Sequence, residues 1–186
     1  MKNVKIAVTG GIGSGKSAAI RLLQEMGYHT FSCDEIYREC IELPEYVKEV
    51  EKAFPSAVMG GKIDRKALSA LVFSDEKSLK ILNGLAHPLI MGRLYQKMQG
   101  VSGVCFAEVP LLFEEGHEKD FDKVIVVTRN KTERIAAVQN RDGLSAIDIE
   151  ERMLRQYDYD KNEGHLKKEF YVIENNGSIE QLKIQL

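Results

Sequence analysis

The run Gly10-Gly11-Ile12-Gly13-Ser14-Gly15-Lys16-Ser17 follows the pattern G-x-x-x-x-G-K-[ST], a spacing suited to gripping polyphosphate. Four glycines in six residues let the backbone turn tightly and aim successive amide N–H groups inward, a concavity that an anion fills. Lys16 would reach the outer phosphates as a point charge, and the Ser17 hydroxyl would meet Mg²⁺. The helix that starts there would add its positive end. Gly11, Ile12, Gly13, Ser14, Gly15, Lys16 and Ser17 are therefore the candidate nucleotide-binding residues, against the alternative of a glycine-rich turn that binds nothing. Asp34 is the candidate base, placed to hold and deprotonate an acceptor hydroxyl; the competing reading makes it a helix N-cap. Arg134 and Arg141 are seven residues apart, two turns along nearly one helix face. They would close over the phosphates as a lid, or lie on a solvated surface.

These residues need particular elements to carry them. Val4 to Thr9 reads as a buried strand leading into the loop, and Lys16 to Met26 as a helix stopped at Gly27. A second strand over Tyr28–Phe31 opens into a helix at Ser32-Cys33-Asp34, which sets Asp34 at the carboxyl end of a strand, where ligands of parallel α/β sheets sit. From Pro44 to Gly100 the pattern is helical, over Tyr46–Phe54, Asp64–Phe73 and Glu76–Leu85, with breaks at Pro55, Gly60-Gly61 and His87-Pro88. No strand is expected there. Strands follow over Gly103–Val109 and Asp122–Thr128, whose continuous apolar run suits the interior of a parallel sheet. A helix over Lys131–Asn140 breaks and recaps at Asp142-Gly143-Leu144-Ser145. A last strand, Tyr171–Glu174, turns into a terminal helix capped at Ser178.

The expectation is an α/β fold: a parallel sheet of about five strands with flanking helices of P-loop kinase type, a helical acceptor lobe and a helical lid. The core would span about 1–43 and 101–186, the lobe about 44–100 and the lid about 130–157. At 186 residues with 44% hydrophobic content a packed core is available. The net charge of −2 gives no general pull toward nucleic acid or anionic membrane, and nothing implies a protein partner. No apolar run is long enough to span a bilayer, no signal sequence is evident, and a cytoplasmic protein is expected. Cys33, Cys40 and Cys105 suggest neither a disulfide framework nor a zinc site.

The loop is shared by GTPases, motors and small-molecule kinases. The nearest approach to an N-K-x-D guanine reader, Asn130-Lys131-Thr132-Glu133, lacks the final Asp, and 186 residues leave little room for a motor. A small kinase remains.

Several further segments make the chain resemble dephospho-coenzyme A kinase over nearly its whole length. They are the Asp34 segment, Gly61-Lys62-Ile63-Asp64-Arg65-Lys66-Ala67-Leu68, Val72-Phe73-Ser74, Leu82-Asn83 with His87-Pro88-Leu89-Ile90, Pro110-Leu111-Leu112-Phe113-Glu114, and Arg141-Asp142-Gly143-Leu144-Ser145. The resemblance implies transfer of the γ-phosphate of ATP, with Mg²⁺, to the ribose 3′-hydroxyl of dephospho-CoA. It makes Asp34 the base, Arg141 the lid residue on ATP, Arg65 and His87 acceptor-lobe residues, and Asn175 and Gly177 the turn on the adenine side. Arg65 could instead form a surface ion pair, and His87 could instead cap or pack a helix turn. Leu111, Leu112 and Phe113 would line the acceptor cleft or pack in the core, and Glu108 and Glu114 would approach the metal through water.

The chain departs from the family at Ala18, where Thr is usual, so one hydrogen bond to the α-phosphate is absent, worth about 1 kcal/mol. Ser32 stands for the first acid of an Asp-Ala-Asp segment, and Lys168-Glu169 for an Ala-Asp pair. The alternatives are another kinase of this fold, acting on a nucleoside monophosphate, shikimate or gluconate, and a nucleotide-dependent switch protein.

Overall fold

The computed structural model describes residues 3–186, with the backbone alone described at 73 and 74. The side chains of Phe73 and Ser74, part of one segment behind the resemblance, lie outside the described residues. The described residues divide into two compact units, one comprising residues 3–31 and 98–186 and the other residues 32–97.

The first unit is built on a five-stranded sheet. Its strands β1 (Val4–Thr9), β2 (His29–Ser32), β5 (Val104–Glu108), β6 (Lys123–Thr128) and β7 (Tyr171–Glu174) lie in the order β2-β5-β1-β6-β7. β1 pairs in parallel with β5 and with β6, and β6 in parallel with β7. The strand β1 is central because both its faces are apolar, and Ala7 and Val8 are fully buried. α1 (Lys16–Glu25) lays Ala19, Leu22 and Leu23 on that sheet beside Phe106, Val127 and Ile173, and α9 (Ile179–Gln185) adds Leu182 to the same core. Every carboxyl end of these parallel strands points the same way, so the loops after β1 and β5 share one edge.

Three further helices complete the unit. α6 (Lys131–Asp142) ends in a left-handed turn at Gly143, and α7 (Ala146–Leu154) restarts at Ser145, whose Oγ accepts from the Asp148 N–H at 3.2 Å. The Arg-Asp-Gly-Leu-Ser segment is thus a helix-to-helix corner. α8 (Glu163–Glu169) was not expected from the sequence, for it buries one residue, Leu166, and shows no apolar period. Ser178 caps α9 reciprocally with Gln181.

The second unit contains α2 (Cys33–Cys40), α3 (Pro44–Ala53), β3 (Val58–Met59), β4 (Lys62–Ile63), α4 (Arg65–Ser74) and α5 (Glu76–Gln99). Two expectations are corrected here. Gly60-Gly61 is the turn of a small antiparallel hairpin between β3 and β4, both glycines having positive φ (58° and 72°). That geometry is what a two-residue hairpin turn needs, and strands of two residues carry no readable alternation. The break expected at His87-Pro88 is also absent: α5 runs through Pro88 for 24 residues. Proline withholds an N–H from the carbonyl four residues earlier and crowds it. Here that residue is Gly84, exposed to water and without a side chain.

Candidate functional site

The loop between β1 and α1 is held from outside by side chains of three elements. Gln156, just after α7, accepts the Ile12 N–H at 2.7 Å. Arg134, on α6, donates its Nε–H to the Ile12 carbonyl at 2.9 Å. Asn175, just after β7, donates to the Ser14 carbonyl at 2.9 Å. The glycines make these approaches possible. A methyl group on Gly11 would overlap the Arg134 guanidinium, and one on Gly13, at φ 76°, would meet the Arg134 backbone. One on Gly15 would strike the Asn175 amide. Ser14 is buried, and its Oγ has no hydrogen-bond partner among the described residues.

Inside the loop the charges are already assembled. The Lys16 ammonium donates to the carbonyls of Gly10 and Gly11 at 2.8 and 3.1 Å, so its charge lies over the first half of the loop. The exposed Ser17 donates its hydroxyl to Oε1 of Glu108 at 2.9 Å. Glu108 ends β5 in register with Val8 of β1 and is only 8% exposed. A hydroxyl and a buried carboxylate together offer hard oxygen donors of the kind Mg²⁺ takes, in the small number that leaves it room for phosphate oxygens and water.

Arg134 is not laid out as a surface residue. It is 6% exposed, with Asp160 its ion-pair partner at 3.8 Å. Burial draws its pKa down from the usual value, while the Asp160 carboxylate and Tyr159 oppose that shift. Tyr159 is buried beside it, its Oη 3.3 Å from the Thr9 Oγ1, and burial raises its pKa above the ordinary tyrosine value. Arg141 differs: at the exposed end of α6 its guanidinium forks onto Asp142 at 2.7 and 2.8 Å.

The other sequence candidates are placed as follows. Gly177 is exposed and abuts the Gln181 side chain. Asp34 lies exposed in the first turn of α2, whose N-cap is Ser32, so the N-cap alternative for Asp34 does not apply. Arg65 is exposed at the start of α4, where Asp64 accepts from the N–H groups of Lys66 and Ala67. His87 is half-buried in α5, one residue before Pro88. Asp34, Arg65 and His87 thus belong to three helices of the second unit, whereas Arg134 and Asn175 meet the loop directly. Gln156, Tyr159 and Asp160 were not singled out from the sequence. They fall in a stretch without apolar period, and only the density of aromatic and acidic residues there hinted at anything.

An open cleft of about 400 Å³ separates α1 from α9, lined by Ala18, Arg21, Leu22, Glu25, Ile179 and Lys183 among others. Ala18 is the residue of its lining that comes first after the loop.

A family model described as CoaE, dephospho-CoA kinase, matches residues 4–181. The chain belongs to the dephospho-CoA kinase family. It is 37% identical over 179 residues to the dephospho-CoA kinase of Thermus thermophilus, covering 96% of this chain and 86% of that one. Against the dephospho-CoA kinase of Chlorobaculum tepidum the identity is again 37%, with 97% and 90% covered. Among solved structures, TT1252 from Thermus thermophilus superposes with a TM-score of 0.83 at 35% identity, over 98% of this chain and 94% of that one. Dephospho-CoA kinase from Campylobacter jejuni gives 0.70 at 30% identity, over 100% and 94%. Shikimate kinase from Acinetobacter baumannii, at 13% identity and a TM-score of 0.54 with 98% and 88% covered, shares the fold. The expected parallel five-stranded P-loop kinase fold is the one observed.

Proposed function

We propose that this protein transfers the γ-phosphate of ATP to the ribose 3′-hydroxyl of dephospho-CoA. ATP-dependent phosphorylation of dephospho-CoA, a step of coenzyme A biosynthesis, follows from membership of the family. The 3′-hydroxyl as acceptor atom is our reading. The observation that carries it is the match from residue 4 to residue 181, combined with a complete phosphate loop whose lysine is already over the cradle.

The chemistry asks for position and charge more than for covalent help. The amides of Gly11 to Ser17 grip the β- and γ-phosphates, and Lys16 turns from the loop carbonyls to the transferring oxygens. Ser17 would hold Mg²⁺ directly and Glu108 through water; the ion, when bound, neutralises charge between the phosphates. Asp34 takes the proton from the acceptor hydroxyl as that oxygen bonds to the γ-phosphorus and the bond to the β–γ bridging oxygen breaks, leaving ADP. Arg141 leaves Asp142 to cover the phosphates. Arg134 holds the loop in shape from beneath, a role its burial suits better than movement. Arg65 and His87 serve the acceptor, and Asn175 and Gly177 the adenine side of ATP. No helix among the described residues is long and apolar enough to cross a membrane, and we place the reaction in the cytoplasm.

An ADP-release assay run with dephospho-CoA, a nucleoside monophosphate, shikimate and gluconate tests this. Dephospho-CoA should be the substrate turned over, with the new phosphate at the 3′ position. Turnover of another acceptor with none of dephospho-CoA would overturn the reading.

A further inference from the structure

The geometry points to a stacking platform for the adenine of dephospho-CoA, made by the half-buried rings of Phe113 and Tyr157 and fastened to the start of the phosphate loop by Tyr159. It rests on the acceptor reading above. Ring centroids of Phe113 and Tyr157 are 4.7 Å apart, those of Tyr157 and Tyr159 are 5.2 Å apart, and Phe170 stands 5.2 Å from Phe113. The Tyr157 N–H donates to Oε1 of Glu114 at 2.8 Å, so the stretch after α7 is tied to the Pro110–Glu114 loop after β5. Tyr159 ties the same cluster to Thr9 through the 3.3 Å contact of their hydroxyls.

Which nucleotide the platform serves follows from the polarity of the loop. The Lys16 side chain reaches back along the loop to the carbonyls of Gly10 and Gly11, so the outer phosphates it turns to serve would lie toward the start of the loop, on the side of Thr9. The nucleoside of ATP then leaves by the other end of the loop, where Asn175, assigned above to the adenine side, donates to the Ser14 carbonyl. The acceptor must approach from the γ-phosphate end. In dephospho-CoA the 3′-hydroxyl and the adenine are carried by one ribose, so the base comes to rest close to the atom that reacts. The cluster that Tyr159 ties to Thr9 is not flat, its rings being inclined at 37° between Phe113 and Tyr157 and 73° between Tyr157 and Tyr159. The base would therefore stack on one half-buried ring, that of Tyr157, and a single base–aromatic stack is worth enough to change affinity measurably. The pantetheine arm has two amides but no aromatic ring, and so cannot stack as a base does.

The chain contains no tryptophan, so Tyr157→Trp creates a single fluorescent reporter on the platform. Dephospho-CoA should quench it; 4′-phosphopantetheine, which lacks the adenine, and ADP should not, and saturating ADP should leave the dephospho-CoA quench in place. In steady-state assays Tyr157→Ala should raise KM for dephospho-CoA about tenfold with KM for ATP unchanged, and Tyr157→Phe should restore wild-type values. A quench by phosphopantetheine or ADP equal to that by dephospho-CoA overturns the inference. So does an unchanged acceptor KM in Tyr157→Ala, or a Phe variant as impaired as the Ala one. If the wild-type protein turns over dephospho-CoA and these results fail, the platform alone is wrong; if the wild-type protein does not, the acceptor reading itself has failed.

Discussion

The hydroxyl of Ser17 donates to the buried carboxylate of Glu108 across 2.9 Å, joining the first turn of α1 to the carboxyl end of β5. The bond aims the serine oxygen and keeps a carboxylate beside it, the two groups to which the proposed mechanism assigns Mg²⁺. Ser17→Ala should raise the Mg²⁺ concentration giving half-maximal rate about tenfold, as expected for losing one direct oxygen ligand. Chelation by EDTA should abolish turnover and leave the thermal unfolding midpoint unmoved, because among the described residues no group of three His, Cys, Asp or Glu side chains could bind a structural metal. A midpoint that falls with EDTA would mean a resident metal instead.

Gly11 and Arg134 form a lock. A methyl group at Gly11 would occupy the place of the Arg134 guanidinium, which is itself buried and bonded to Ile12. Gly11→Ala should therefore destabilise the protein by about 1–3 kcal/mol and weaken ATP binding. Arg134→Ala should also destabilise, yet the double variant should lose less than the sum, since the clash disappears with the side chain. Urea unfolding of the four proteins in the cycle measures this, and strict additivity would deny the contact.

Asp34 is exposed in the first turn of α2 and does not cap it. Its structural contribution is then a favourable interaction with the helix dipole, of about 0.3–1 kcal/mol. As a base its removal should cost far more: Asp34→Asn should cut kcat by about 10² or more while ATP affinity and unfolding temperature stay near wild type. Comparable turnover in the variant would shift weight to a nucleotide switch.

Much of this arrangement was legible in the sequence for identifiable reasons. The glycine loop, its flanking strand and the Ser178 cap obey local rules that act within a few residues, so Lys16, Ser17 and Asn175 could be placed on the right elements. What escaped depends on distant partners. Helical spacing aligns Arg134 with Arg141, but nothing local says that Arg134 is buried, donates to the Ile12 carbonyl and pairs with Asp160. Gln156 and Tyr159 follow α7 in an irregular stretch whose hydrogen bonds span 144 and 150 residues. The β3–β4 hairpin and the passage of α5 through Pro88 were missed because strands of two residues show no period, and because a glycine four residues earlier relieves the proline.

Arg141 and Asp142 supply the last test. The Arg141 hydrogen bonds hold the Asp142 carboxyl below its usual carboxylate range, so the pair persists above that lowered value and weakens as acid protonates Asp142. A lid arginine has to leave this partner before it can cover phosphate, and a solvent-exposed pair of this kind is weak. Asp142→Asn should release Arg141 and lower KM for ATP by up to about fivefold. Arg141→Ala should raise KM for ATP, lower kcat and erase any further effect of Asp142→Asn. If Asp142→Asn alters KM equally in the presence and absence of Arg141, the arginine is not the route, and the lid assignment falls with it.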